Sequence, residues 1–482
     1  MAESLSTDIC IIGGGSAGLA VAAGASQMGA DVILIEGRKM GGDCLNYGCI
    51  PSKSLLAAGK AAKLAERAAR FGVGLDAPRI DFRAVHDHVA GVIATIAPHD
   101  SVARFEGLGV RVIEAMARFV AADEVEAGAV RIRAKRFVVA TGSGPFVPPI
   151  PGLDEVAYLT NETVFDLVDK PDHLIVIGGG PIGCELGQAF RHLGARVSIV
   201  EMASIMPKDD PELVDLLRTR LRADGVELFE QSTVAGVEKT PNGLAVRLQR
   251  GEETARIEGT HLLVAAGRRP AIDGLGLENA GIAHDRGGIK VDRRLRTSNR
   301  KVYAAGDVAG GFQFTHVAGY HAGIVIKNAL FRLPAKTDDS AVPWVTYTEP
   351  ELAHVGLSEE EARRTATDVR ILRWPFSDND RAQAERATEG LVKVVTSKRG
   401  KILGASILGA HAGELIQPWV LAISQGLKVS ALATMIAPYP TLGEASKRAA
   451  GSFYTEALFS ARTKRIVRFL LKLGKRGPAC YK

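Results

Sequence analysis

The chain has 482 residues, 46% hydrophobic and 24% charged, which excludes a disordered or fibrous protein and a single ordinary core, and leaves a globular chain of roughly two to four domains. No run of about 18 or more apolar residues occurs in it, so no membrane-spanning helix is expected. The net charge is +6, but residues 462–482 hold eight Lys or Arg and no acid, leaving −2 for the rest, so the basicity belongs to a tail and does not argue for a nucleic-acid-binding body; no nucleic-acid partner is expected.

From the N-terminus, the first residues show no basic segment followed by an apolar stretch, and no signal peptide is expected. The five cysteines are too few for a disulfide framework in a chain of this length. A cytoplasmic location is expected, where a disulfide would be catalytic rather than structural.

Residues 8–36, DICIIGGGSAGLAVAAGASQMGADVILIE, predict a strand at Ile9–Ile12, a Gly-rich turn, an Ala-rich helix and a second strand at Val32–Ile35 ending in Glu36. Gly13 permits the tight turn, Gly15 lets backbone approach a pyrophosphate, and Gly18 lets helix lie close on strand. The helix N-terminus offers free N–H groups to the pyrophosphate. Glu36 is placed to accept hydrogen bonds from a ribose diol. The general alternative is an ordinary Gly-rich turn.

Next comes GGDCLNYGCIPSK, residues 41–53, followed by a long Ala- and Lys-rich helical segment. Pro51 suits the first turn of that helix. Cys49 then sits at the positive end of the helix dipole, which lowers a thiol pKa, and Lys53 adds charge one turn on. Two inert buried thiols or a zinc pair are the alternatives to a redox pair of Cys44 and Cys49. Neither alternative explains both the Gly-rich lead-in and the Pro-Ser-Lys exit. No CxxC or histidine set is visible, and no resident metal is expected.

Residues 173–201, HLIVIGGGPIGCELGQAFRHLGARVSIVE, repeat the first pattern with Gly178, Gly180, Gly183 and the acid Glu201. In both copies the first glycine lies 23 residues before the acid. Two complete units in one register argue against an ordinary turn. Glu201 pairs with a free 2′-hydroxyl and repels a 2′-phosphate, and no arginine follows closely, so NADH is preferred to NADPH.

These residues, together with Ala140-Thr141-Gly142, AGRRP (266–270), AAGD (304–307) and VPWVTYTEPELAHVG (342–356), resemble the flavoprotein disulfide reductases. That class includes dihydrolipoamide dehydrogenase, glutathione reductase and mercuric reductase. The resemblance runs to about residue 458 and implies an α/β protein with two Rossmann-like dinucleotide-binding domains and a C-terminal α+β dimerisation domain. It implies that 1–150 with 272–341 bind FAD, that 151–271 bind NAD(P)H, that 342–461 form the interface domain, and that 462–482 are a basic tail.

The resemblance further implies that Asp307 holds the ribityl chain of FAD, and that Thr141, Gly142 and Gly267 belong to the cofactor loops. Cys49 would face the flavin and Cys44 would attack substrate. Lys53 would pair with Glu185. A homodimer is implied, with Tyr439 and Glu444 contributed to the partner's site. The first reading is a dihydrolipoamide-dehydrogenase-like enzyme acting on a small-molecule or protein-bound disulfide; the alternatives are a mercuric-reductase-like reductase of a metal thiolate and, without enzymatic activity, a flavin-bound redox sensor or scaffold.

One departure matters chemically. The thiol–disulfide members carry a His-Pro-Thr-x-Ser-Glu motif, whereas this chain reads APYPTLGE (437–444), with Tyr439 in place of the histidine. Histidine titrates near neutrality and tyrosine near about pH 10, so Tyr439 is a poor proton shuttle. The alternative is that Tyr439 only packs at an interface, with its hydroxyl satisfied by Glu444. Mercuric reductases share this tyrosine, but they normally end in adjacent cysteines and favour NADPH, whereas this chain has only Cys480 near its end. His316 and His321 are expected to be hydrogen-bonded helix residues, and Cys10 and Cys184 to be core. In the tail, RTKRIVRFLLKLGKR (462–476) reads either as a helix leaning on anionic lipid or as a helix packed on the dimer.

Overall fold

The computed structural model describes residues 3–365 and 368–473. The chain divides into two compact units. One holds the residues up to Pro207 together with Thr219–Asp339, and the other holds Lys208–Arg218 and the residues from Ser340 onward.

In the first unit the opening strand begins at Glu3 rather than Ile9. Its polar first half is recruited by pairing, because Glu3 to Thr7 run parallel to Val130 to Ala134 in register. Val32–Glu36 lies on its other side and Val110–Glu114 beyond that, all parallel. The strand Val130–Val139 has two further neighbours on its other edge. Its start pairs antiparallel with Glu124–Ala127, and its end pairs parallel with Val302–Ala304. Ile9, Ile11, Val32 and Leu34 are buried on one face of the sheet, and Cys10, Ile12, Ile33 and Ile35 on the other. Burial on both faces is why these strands read as unbroken apolar runs. The helix Ser16–Gln27 buries Ala17, Val21, Ala22 and Ala25, side chains small enough to let it lie close on the sheet.

The second pattern folds the same way. His173–Ile177 and Arg196–Val200 are central in a four-stranded parallel sheet flanked by Val226–Phe229 and His261–Val264. Pro181–His192 is its crossover helix, and an antiparallel sheet of Thr233–Thr240, Gly243–Arg250 and Glu253–Gly259 follows. Ser143–Pro145 and Arg268–Pro270 form an antiparallel ribbon where the chain passes between the two patterns.

The second unit is built on a five-stranded antiparallel sheet, ordered Pro343–Thr346, Glu351–Gly356, Ile402–Gly409, Leu391–Ser397, Val369–Pro375. Trp419 is fully buried beside it and donates its indole N–H to Ser446 at 3.0 Å. Lys208–Arg218 joins this unit through Lys393. That ammonium is buried and lies 2.8 Å from Asp210, 3.0 Å from Glu212 and 2.9 Å from Glu359. Burial alone would lower the lysine pKa, but the three carboxylates raise it instead. Ala461–Leu473 closes the described chain as a helix with no buried residue.

Candidate active site

The loop bearing the cysteine pair is fixed by two glycines. Gly41 and Gly42 have φ of 85° and 58°, a region that side chains rarely adopt. A Cβ on Gly42 would sit 2.7 Å from the Gly15 Cα, so this loop lies directly on the first Gly-rich turn. Gly48 is the N-cap, and Cys49 is the first residue of the helix Cys49–Arg67. The expected placement of Cys49 at a helix N-terminus is what the structure has.

Both thiols are free. Cys44 is half-buried and Cys49 exposed. They share a hydrogen bond that drives their acidities apart. Cys49 is lowered to about 6 by that bond first, against the cost of burial, and then by the Thr315 hydroxyl and the charge of Lys53. The same bond, burial and the Cys49 charge push Cys44 far up. The pair is therefore one thiolate and one thiol near neutral pH. Thr315 Oγ1 lies 3.4 Å from Cys49 Sγ and is itself the first residue of the helix Thr315–Ala329.

Lys53 and Glu185 meet as expected, with Nζ 2.8 Å from the carboxylate. Glu185 is buried in the helix Pro181–His192, so this contact joins the cysteine helix to the second nucleotide pattern.

The two Gly-rich turns carry a physical test of whether dinucleotides fit. At Gly13 and Gly178, with φ of 110° and 112°, a Cβ would strike the carbonyls of Ala140 and Ala265. At Gly18 and Gly183 it would strike the carbonyls of Gly13 and Gly178. The chain itself therefore requires those four glycines. The middle glycines differ. Gly15 and Gly180 have ordinary extended backbone, φ −89° and −76°. A Cβ would meet nothing nearer than 3.7 Å at Gly15 and nothing within 4 Å at Gly180. Only a group lying against that backbone gives a reason for glycine there, and an anionic pyrophosphate fits, because neither following helix is capped by a side chain.

The two acids are held alike. Glu36 accepts from the amides of Gly14 at 2.5 Å and Arg38 at 2.6 Å. Glu201 accepts from Gly179 at 2.7 Å and Ala203 at 2.9 Å. Gly142 and Gly267 have φ of 71° and 124°. The Thr141 hydroxyl donates to the Ala271 carbonyl at 2.7 Å and so ties two loops together.

Asp307 anchors a network that sequence reasoning missed. Ser143 donates to it at 2.5 Å. Arg268 donates to Ser143 Oγ at 2.8 Å and to its carbonyl at 2.9 Å. The same guanidinium lies 3.1 Å from Asp43, next to Cys44, and Asn161 donates to Asp43 at 3.1 Å. Burial raises the Asp307 pKa, and Ser143 and Arg268 oppose the rise. Arg268 stood inside the AGRRP motif and was the available signal; nothing local marked Ser143, Asn161 or Thr315. His321 accepts the Gly306 amide at 3.2 Å and is lowered by burial, so it is a neutral helix histidine as expected. His316 stacks on Phe314. Cys10 and Cys184 are buried. Cys480 lies outside the described residues.

In the second unit one expectation is corrected. The Tyr439 hydroxyl donates to Asp380 at 3.1 Å, not to Glu444, and Tyr439 is 69% exposed on its own chain. The reason is local: Asn379 caps the helix Asp380–Ala384 and donates to the Thr441 carbonyl at 3.1 Å, which sets Asp380 beside the tyrosine. The hydrogen bond and charge of Asp380, then the charge of Glu444, raise the phenol pKa further above neutrality. Among the described residues no group of three or more His, Cys, Asp or Glu is arranged to hold a metal ion.

Residues 7–322 match the pyridine nucleotide-disulphide oxidoreductase family, and residues 342–450 match its dimerisation domain. The chain belongs to this family. It is similar to a mercuric reductase of Lysinibacillus sphaericus, 37% identical over 92% of this chain and 82% of the relative. It is equally similar to a dihydrolipoyl dehydrogenase of Thermus scotoductus, 37% identical over 94% of this chain and 98% of the relative. Among solved structures, LpdA of Mycobacterium tuberculosis superposes with a TM-score of 0.85 at 29% identity, covering 92% of this chain and 99% of that one. The HOCl-induced flavoprotein disulfide reductase RclA of Escherichia coli, in its Cu(II) complex, superposes at 0.82 and 30% identity, covering 92% and 99%. The protein is thus an FAD-dependent, NAD(P)H-using oxidoreductase of the disulfide reductase class with a C-terminal dimerisation domain. No helix among the described residues is long and apolar enough to cross a membrane.

Proposed function

We propose that this chain is an NADH-driven reductase whose Cys44–Cys49 pair serves a thiophilic acceptor, a metal ion held by thiolates, in preference to a dihydrolipoamide-type disulfide. The observation that carries the choice is Tyr439. It is exposed, hydrogen-bonded to Asp380 and raised in pKa, so at neutral pH it donates a hydrogen bond and does not shuttle a proton. Thiol–disulfide exchange needs a proton delivered to the leaving thiolate, and general acid–base help is typically worth about 10²–10⁴-fold. Reduction of a thiolate-bound metal needs electrons and no such proton. The relatives named mercuric reductase and the Cu(II) complex of the E. coli reductase support the same reading.

In this reading residues 1–150 and 272–341 hold FAD through Gly13, Gly15, Gly18, Glu36, the Thr141–Gly142 loop and Asp307. Residues 151–271 hold NADH through Gly178, Gly180, Gly183, Glu201 and Gly267. Bound FAD supplies the two-electron link between nicotinamide and the cysteine pair. Cys49 is the stabilised thiolate on the flavin side, and Cys44 is the thiol that meets the acceptor. Lys53 holds positive charge beside Cys49, and Glu185 holds Lys53 in place. The protein works as a homodimer, with Tyr439 and Glu444 of each copy serving the other's site. NADH is preferred because the Glu201 carboxylate repels a 2′-phosphate.

A second reading, a dihydrolipoyl dehydrogenase, is favoured by the equal identity of that relative and by the acid at Glu201. Anaerobic NADH oxidation with thiol-complexed Hg(II), Cu(II) or lipoamide separates the two. Cys44-dependent turnover of the metals is expected, with lipoamide slow in the native protein and faster in Tyr439→His. Lipoamide turnover as fast as metal turnover in the native protein would overturn the first reading.

A further inference from the structure

The helix Ala461–Leu473 has no buried residue. Its large apolar side chains Ile466, Val467, Phe469, Leu470, Leu471 and Leu473 are 46–66% exposed. At helical spacing Lys464, Arg468 and Lys472 fall on one line with Arg465 beside them, while Ile466, Leu470 and Leu473 run along the opposite face. The helix carries no acid, and the sequence beyond it adds Lys475, Arg476 and Lys482, again without an acid.

We propose that this helix docks the enzyme on an anionic lipid surface, lying in the headgroup plane. The choice of occupant rests on using both faces at once. At headgroup depth the apolar arc enters the acyl boundary, and the long basic side chains reach phosphates on either side. A nucleic acid matches the cations but leaves six large apolar side chains in water. A second copy of this chain could bury the arc, but the opposite cationic face would then point to solvent and do nothing. The charge is also confined to the tail, since the rest of the chain is net −2, so the lipid attraction is local to this element.

The test uses the full-length, FAD-loaded protein and flotation with vesicles of phosphatidylcholine alone or mixed with phosphatidylglycerol. Binding to the mixed vesicles only, weakening with salt, is expected. Each cation near an anionic surface is worth about fivefold in partitioning, so the double variant R465Q/R468Q should bind roughly 30-fold more weakly. The variant F469S/L470S should lose binding. Both should keep their flavin and NADH-driven flavin reduction in solution. Three results overturn the proposal: equal binding to neutral vesicles, no vesicle binding at all, or loss of the dimer in F469S/L470S by light scattering without vesicle binding in the parent. The last would assign the apolar arc to a second copy. DNA binding with no vesicle binding would assign the cations to nucleic acid.

Discussion

Gly180 and Gly183 stand three residues apart in one motif, yet the structure predicts opposite consequences for the same substitution. In Gly183→Ala the new Cβ would strike the Gly178 carbonyl, a backbone atom that no rotamer change can move aside. The crossover helix must shift, and overpacking of this kind costs ~3 kcal/mol at its upper end, a fall in Tm of roughly 5–10 °C. In Gly180→Ala the Cβ meets nothing within 4 Å, and φ of −76° suits alanine. Its effect on stability should be nil or a gain of about 0.4–1 kcal/mol from the stiffer unfolded chain. The methyl instead occupies the face on which the nucleotide's pyrophosphate would lie. Loss of one hydrogen bond to a charged group is worth about 1.5–3 kcal/mol, a rise in KM for NADH of roughly 10- to 150-fold. Melting curves, flavin absorbance and NADH kinetics on both variants check this. If Gly180→Ala kept full flavin and an unchanged KM, no nucleotide would lie against this backbone and the assignment of the second motif would fail.

Four further outcomes follow from the cysteine site and the network beside it. Thiolate absorbance of the reduced protein should titrate near pH 6, and Cys49→Ser should abolish that titration. Because the Cys49 pKa is depressed in the folded state, its contribution to stability is full above the unfolded thiol value of about 8.5 and is lost as pH falls from there to about 6, so across that window the melting temperature of the reduced protein should fall relative to that of Cys49→Ser, and the difference should level off below it. Lys53→Met removes the ammonium 2.8 Å from the buried Glu185 carboxylate; with the Lys53 side chain 36% exposed the cost should fall below that of a fully buried pair, roughly 1–3 kcal/mol, and the Cys49 titration should move up. Arg268→Met removes the guanidinium that joins Ser143, Asp43 and Asp307; flavin should dissociate more readily on dialysis, and retention equal to the parent's would show that the network does not support the cofactor loops.

The nucleotide patterns and the cysteine pair were legible because each is a local event. A strand, a turn that only glycine can make, and a helix N-terminus all fall within about 30 residues, and spacing alone encodes them. The first strand was legible only in its apolar half. Glu3, Ser4 and Ser6 carry no strand signal, and they are extended because Val130–Ala134, distant in sequence, lies alongside. The segment Lys208–Arg218 was not legible as part of the C-terminal unit for the same reason. What assigns it there is Lys393, a buried cation whose three carboxylates come from two stretches of chain, and no periodicity records such a convergence.

The site shows the same division. Cys49 at a helix start was visible in Gly-Cys-Ile-Pro, and so was Lys53 one turn on, whose charge accounts for part of its acidity. The rest comes from groups that spacing cannot place: the Cys44 thiol as a hydrogen-bond partner and Thr315 from a helix 266 residues further on. Tyr439 is the instructive case. Its identity was plain in the sequence, and so was the expectation that it would not titrate near neutrality. The partner was misassigned because Glu444, five residues on, was the obvious local acceptor, whereas the bond goes to Asp380, brought in by the Asn379 contact with Thr441. The correction strengthens the chemical argument. Two carboxylates now stand near the phenol instead of one, each opposing its ionisation. A phenol so held keeps its proton directed at Asp380 and does not take up the proton that thiol exchange requires. A histidine introduced at the same position would meet the same two carboxylates as stabilisers of its charged form, which is why Tyr439→His is the substitution expected to convert this site toward disulfide chemistry.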